Sequence, residues 1–188
     1  MPDAAAGLSV RSGAVVLSGE RTGAGPAAVL LHGLTATRRY VVMGSRSLER
    51  SGHTVIAYDA RGHGTSEPAD ERGYNYPSLV ADLLAVMEQQ GIDRALIAGA
   101  SMGAHTAARV ALEHPERVAA LALITPAYDP DTARTQQELA RWDALARGLR
   151  DGGVDGFVAA YDLSGVPEQW RATIERVLRQ RLAELRAE

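Results

Sequence analysis

The sequence predicts an α/β domain built on a mostly parallel sheet with crossover helices. Three observations carry that reading. Compact apolar runs alternate with amphipathic segments across residues 27–124, those segments are of helical length, and two of them close on a glycine, Gly52 and Gly91. The 188 residues, 46% of them hydrophobic, are enough for one filled core without disulfide or structural metal, since a domain of that size buries roughly 70% of the surface its unfolded chain exposes. The absence of cysteine excludes a thiolate nucleophile, a Cys-ligated zinc and an iron–sulfur cluster. All 20 basic residues are arginine, but 23 acids interspersed among them leave a net charge of −3, so no basic field for nucleic acid or a membrane surface builds up. No window approaches the roughly 18 apolar residues of a membrane span, and residues 1–12 lack the basic start and apolar stretch of a leader. The expected location is the cytoplasm.

Taken in order, residues 8–10 and 14–18 carry β-formers around Ser12 and Gly13 and read as a small hairpin. Four strands follow as unbroken apolar runs, at Ala27–Leu31, Thr54–Tyr58, residues 95–98 and Val118–Ile124. Between them, helical periodicity covers residues 38–50, 78–90 and Met102–Glu113. Past Thr125 the rhythm changes, because Pro126 and Pro130 break the chain and no β-rich run recurs. Asp131 or Thr132 is placed to cap a helix bearing Leu139, Trp142, Ala146 and Leu149. Pro167 is placed to open another, with Trp170, Ile174, Val177, Leu178, Leu182 and Leu185 on one stripe. The expected division is therefore an α/β core over residues 1–128 and a helical region over 129–188.

The segment AGASMGA, residues 98–104, contains G-x-S-x-G as Gly99, Ala100, Ser101, Met102 and Gly103. Its position after a strand and before a helix suits a sharp turn that forces the serine into a strained backbone conformation, with glycines two before and two after to avoid clashes. Such a turn leaves the helix N-terminus, with its free N–H groups, beside the serine hydroxyl. LLHGL, residues 30–34, ends the first parallel run. Gly33 lets backbone approach a reacting group, and the N–H of Leu34 could join that of Met102 around an oxyanion. YDARGHGTS, residues 58–66, ends the next strand in a tight loop, where Asp59 and Arg61 suit hydrogen bonding of the loop better than chemistry.

LLHGL, YDARGHGTS and GASMGA, in that order and spacing, resemble the α/β-hydrolase superfamily, over about residues 15–126. The resemblance implies that Ser101 is a nucleophile, that Leu34 and Met102 supply backbone oxyanion donors, and that His32 is structural within the oxyanion loop. It implies neither metal nor cofactor, and it makes residues from 129 onward look like a helical cap. A serine at the elbow implies acyl transfer through an acyl-enzyme, whereas the aspartate-bearing branches, haloalkane dehalogenases and epoxide hydrolases, form an alkyl ester.

A serine needs a base oriented by a carboxylate, and the superfamily supplies acid and then histidine after the nucleophile, following its seventh and eighth strands. Here the pattern departs, since only His105 and His114 follow Ser101 and neither strand is visible. His105 lies along the elbow helix, His114 at its far end, and His53 before a strand at the opposite sheet edge. His63 is the first candidate base and His32 the second, while Asp129 is a candidate acid or simply a polar residue of its turn. Two expectations follow. One is a serine hydrolase acting on a carboxylic ester or related acyl compound, with acid and base on a further C-terminal segment. The other is a non-catalytic, hydrolase-like binding or interaction module. In either case the sheet edge at Val118–Ile124 invites a complementing segment or a second copy.

Overall fold

The computed structural model describes residues 5–126 and 135–183, and the chain divides into two compact units, residues 1–127 and 128–187. In the first unit, β1 (Ala6–Ser12) and β2 (Val15–Thr22) pair antiparallel around Gly13, whose φ of 59° suits a tight reversal. The hairpin is longer than the periodicity predicts, because β2 also pairs antiparallel with β4 (Thr54–Tyr58). With β3 (Ala27–Leu31), β5 (Ala95–Ala100) and β6 (Val118–Ile124), the strands form one sheet in the order β1-β2-β4-β3-β5-β6. Its last four strands are parallel.

The helix predicted over residues 38–50 is not continuous. It resolves into a single 3₁₀ turn, Arg38–Tyr40, and a short α1, Ser47–Arg50. Between them Met43 and Gly44 adopt φ of 51° and 76°, outside helical space, after the β-branched pair Val41 and Val42. By contrast α2 spans Tyr76–Gln89, capped by the Asn75 side chain, which accepts the Ser78 N–H at 2.9 Å. The third helix, α3, occupies Met102–Glu113 as the sequence predicts.

Alternation along the strands separates two apolar layers. Val29, Leu31, Ile56, Tyr58 and Ile97 face Leu83, Val86 and Met87 of α2 and Ala107 and Val110 of α3. Leu30, Val55, Ala57 and Ala98 face the other way, under Val41, Val42 and Leu48. β6 breaks this pattern. It is apolar throughout, as an interior strand would be, yet Leu121, Leu123 and Ile124 are 40–43% exposed and no strand pairs with its outer edge among the described residues.

In the second unit, α4 (Gln136–Ala160) bends sharply at Gly153, where φ is 58°, and brings the backbones of Gly148 and Gly156 so close that a Cβ on either would strike the other's carbonyl. With α5 (Glu168–Leu182) it buries Phe157, Val158, Leu178 and Leu182. α4 is capped by Thr135 in a capping box with Glu138. The caps expected at Asp131 or Thr132 lie outside the described residues, as does Leu185. Of the predicted α5 stripe, Leu178 and Leu182 are buried and Ile174 packs against them, whereas Trp170 and Val177 are exposed. Among the described residues no helix is long and apolar enough to cross a membrane.

Candidate active site

The chain passes from β3 to β4 on one side of β3 and then crosses back to β5 on the other. A sheet that reverses direction in this way opens a crevice at the C-terminal ends of the strands that flank the reversal, β3 and β5. LLHGL emerges there from β3 and Ser101 from β5.

Ser101 joins β5 to α3 with φ 49° and ψ −110°, a conformation rare for a side-chain-bearing residue and costing about 1–3 kcal/mol. Its N–H is held by Ile124 O of β6 at 3.0 Å. The glycines on either side are required sterically. A Cβ on Gly99 would meet the Gly103 carbonyl, and one on Gly103 would meet the Leu31 carbonyl of β3. Thus the turn, the following helix and the neighbouring strand interlock. Gly33 brings the loop after β3 against them, and a Cβ added to it would lie 3.4 Å from both Ser101 Cβ and Ala100 O. As the first residue of α3, Met102 has an N–H with no acceptor within its helix. Among the described residues no carbonyl accepts the N–H of Met102 or of Leu34.

His32 is buried with both ring nitrogens engaged. Nδ1 donates to Gly33 O at 2.8 Å, and Nε2 accepts the Ala60 N–H at 2.9 Å. Burial, reinforced by charge at His63, pushes its pKa down to about 4, so the ring is neutral near pH 7. Asp59, fully buried at the end of β4, forms an ion pair with Arg38 and accepts the backbone N–H of Arg38 at 2.9 Å and of Thr65 at 3.1 Å. The Arg61 guanidinium grips Asp82 of α2 through two bonds, 2.8 and 2.7 Å, and also reaches Gly73 O at 3.0 Å. The hydrogen bond to Asp82 raises the Arg61 pKa, so the guanidinium stays charged. Asp59 and Arg61 thus hold the loop, as the sequence suggests. Asp82 was not singled out by sequence, although an acid on the apolar face of α2, between Leu79 and Val86, was a visible signal.

Each of the other histidines has contacts of its own. His63 has Nδ1 on Arg61 O at 2.9 Å and Nε2 on Leu34 O at 2.7 Å. His105 stacks on Tyr76 at a centroid distance of 5.6 Å, His53 bonds Ser51 Oγ at 3.1 Å, and His114 lies 3.8 Å from Glu116. Asp129, the candidate acid, lies outside the described residues. Sequence reasoning also missed Thr125. This β-branched residue before a proline adopts φ 44° one position after the carbonyl that holds the Ser101 N–H.

A family model described as the alpha/beta hydrolase fold matches residues 26–160. An sn-1-specific diacylglycerol lipase, ABHD11, from Xenopus laevis is 37% identical over 112 residues, 59% of this chain and 35% of the lipase. A fluoroacetate dehalogenase from a Burkholderia species is 33% identical over 112 residues, 56% of this chain and 36% of that enzyme. The chain therefore spans only part of the length of these relatives. Among solved structures, a carboxylesterase of the ammonia-oxidizing thaumarchaeon Nitrososphaera gargenis superposes with a TM-score of 0.79 at 21% identity, over 96% of this chain and 67% of that one. That likeness shows the shared fold.

Proposed function

This chain belongs to the alpha/beta hydrolase fold family, and from that premise we propose that it is a serine hydrolase cleaving a carboxylic ester or related acyl compound through an acyl-enzyme at Ser101. The observation that carries the reading is the strained Ser101 turn, φ 49° and ψ −110°, packed against Gly33, with the N–H groups of Leu34 and Met102 accepted by no carbonyl among the described residues. Ser101 Oγ attacks the acyl carbon while its proton passes to a base. The N–H groups of Leu34 and Met102 hold the oxyanion, and the tetrahedral intermediate collapses as the protonated base gives its proton to the departing alkoxide, which leaves as the alcohol. Water then cleaves the acyl-enzyme by the same route. Loss of one such donor typically costs about 3 kcal/mol of transition-state stabilisation.

The base and its orienting acid come from a further strand-bearing polypeptide. Two facts support this: His32 and His63, the histidines of the crevice, have both ring nitrogens bonded to other groups, and the matched relatives are longer. The complement adds alongside β6, whose all-apolar sequence suits an interior strand. A second reading, a non-catalytic binding module, draws on the same engaged histidines. A fluorophosphonate probe separates the two. The enzyme reading expects labelling of Ser101, slow in the 188-residue chain, accelerated by a C-terminal polypeptide from a longer relative, and abolished by Ser101→Ala. Absence of labelling with and without that complement favours the binding module.

A further inference from the structure

Leu34 sits between two anchored peptide planes. The Gly33 carbonyl, which shares its peptide with the Leu34 N–H, accepts from His32 Nδ1 at 2.8 Å and from the Ala36 N–H at 3.1 Å. The carbonyl of Leu34 lies 2.7 Å from His63 Nε2. In a trans peptide the N–H points opposite to the C=O, so fixing both carbonyls fixes the torsions of Leu34 and the direction of its N–H.

The two histidines meet opposite demands. Because His32 Nε2 accepts the Ala60 N–H, one neutral tautomer, with its proton on Nδ1, satisfies both of its bonds. His63 faces a carbonyl on each side, Arg61 O at 2.9 Å and Leu34 O at 2.7 Å. A neutral imidazole can donate to only one of them and must turn a lone pair on the other, whereas an imidazolium donates to both. With His63 only 7% exposed, water is poorly placed to supply the missing donor.

We infer that His63 is a charged clamp on the loop of Leu34. As an imidazolium it ties the Leu34 carbonyl to that of Arg61, and losing its proton frees one of these links and loosens the N–H beside Ser101. The catalytic consequence rests on the reading of Leu34 as an oxyanion donor; the clamp itself does not. The groups around His63 fit this state. From β3 comes His32, neutral and with its ring centroid 5.0 Å away. From the end of β4 comes Asp59, matched by Arg38 of the 3₁₀ turn, and from α2 comes Asp82, matched by Arg61. Tyr58 stays neutral because burial raises its pKa. Both acids are thus already paired, and the imidazolium adds positive charge behind the place where an oxyanion would form. The sign follows from the donor count: the clamp is closed while His63 carries both ring protons and opens when it loses one.

The test is a long-range ¹H–¹⁵N titration of the ¹⁵N-labelled 188-residue chain, scanned from about pH 5 to 8, where imidazoles as a class change charge, and assigned with His63→Gln. Both His63 nitrogens carry protons at the acid end while His32 keeps a single Nδ1–H. As His63 deprotonates, the amides of Leu34 and Thr35 shift with the same midpoint, and Leu34 amide exchange, corrected for intrinsic pH dependence, speeds about tenfold. In His63→Gln that midpoint disappears from both amides. Should the variant not fold, through-bond assignment lets the wild-type titration decide. A single neutral His63 tautomer throughout, or deprotonation that leaves Leu34 and Thr35 unmoved, overturns the clamp. Fluorophosphonate labelling in the same buffers then breaks at the His63 midpoint in wild type and not in His63→Gln. Labelling indifferent to an opening seen by resonance overturns the catalytic consequence. If the probe never labels, the serine hydrolase reading fails while the resonance result still decides the clamp.

Discussion

In the proposed function, Ser101 concentrates the conflict between stability and reactivity in one residue. Its backbone conformation is open to glycine and strained for any residue with a Cβ, so Ser101→Gly should relieve strain and raise stability by about 1 kcal/mol. Ser101→Ala should not. Thermal unfolding of the two variants checks this, and equal melting temperatures would remove strain from the account of the elbow. His32 sets a second residue-level expectation. Its pKa falls from the ordinary 6.5 to about 4 on folding, so the unfolded chain binds more protons between those values. The stability from keeping His32 neutral is complete above about pH 6.5 and is lost as pH falls toward 4, by about 3 kcal/mol in all. Denaturant titrations at several pH values measure that slope, and His32→Asn should flatten it.

At the scale of elements, the loop after β4 is held from two directions, by Asp59 toward the 3₁₀ turn and by Arg61 toward α2. The Arg61–Asp82 pair is buried on both sides, so Asp82→Ala leaves a guanidinium unmatched in the interior and should cost about 3–5 kcal/mol. Because Arg61 O also faces His63, amide exchange near His63 should rise in this variant more than in the β1–β2 hairpin. Uniform loosening would count against a local role for the pair. This scale also shows where sequence falls short. The α2 and α3 positions were readable because each buries a regular stripe under the sheet. Residues 38–50 misled because their apolar side chains have helical spacing, while Met43 and Gly44 take left-handed conformations that spacing does not encode. Asp82 was hidden differently, as a charge on an apolar face whose partner lies 21 residues away.

For the whole molecule the open question is what meets β6. An all-apolar strand at a sheet edge, with Leu121, Leu123 and Ile124 partly exposed, is a template for pairing. The 188-residue chain should therefore associate with itself as its concentration rises, and Leu121→Lys with Leu123→Lys should suppress this in sedimentation velocity. A strand-bearing complement should do the same by occupying the edge. Wild type that stays monomeric at the highest soluble concentration would show that the edge is not sticky enough to matter.

By itself the sequence determined the α/β class, the order of the parallel strands along the chain and the three loops that carry HGL, DARGHG and GASMG. Those features are local, since unbroken apolar runs mark buried strands and glycines mark turns that a Cβ would obstruct. Tertiary structure alone decided that β3 and β5 are neighbours, which sets Gly33 so near the Ser101 turn that a Cβ added to it would lie 3.4 Å from Ser101 Cβ. It also decided the state of the histidines. One residue type, twice in the same crevice, meets an N–H and a carbonyl in His32 but two carbonyls in His63, and such partners are set by how the strands pack.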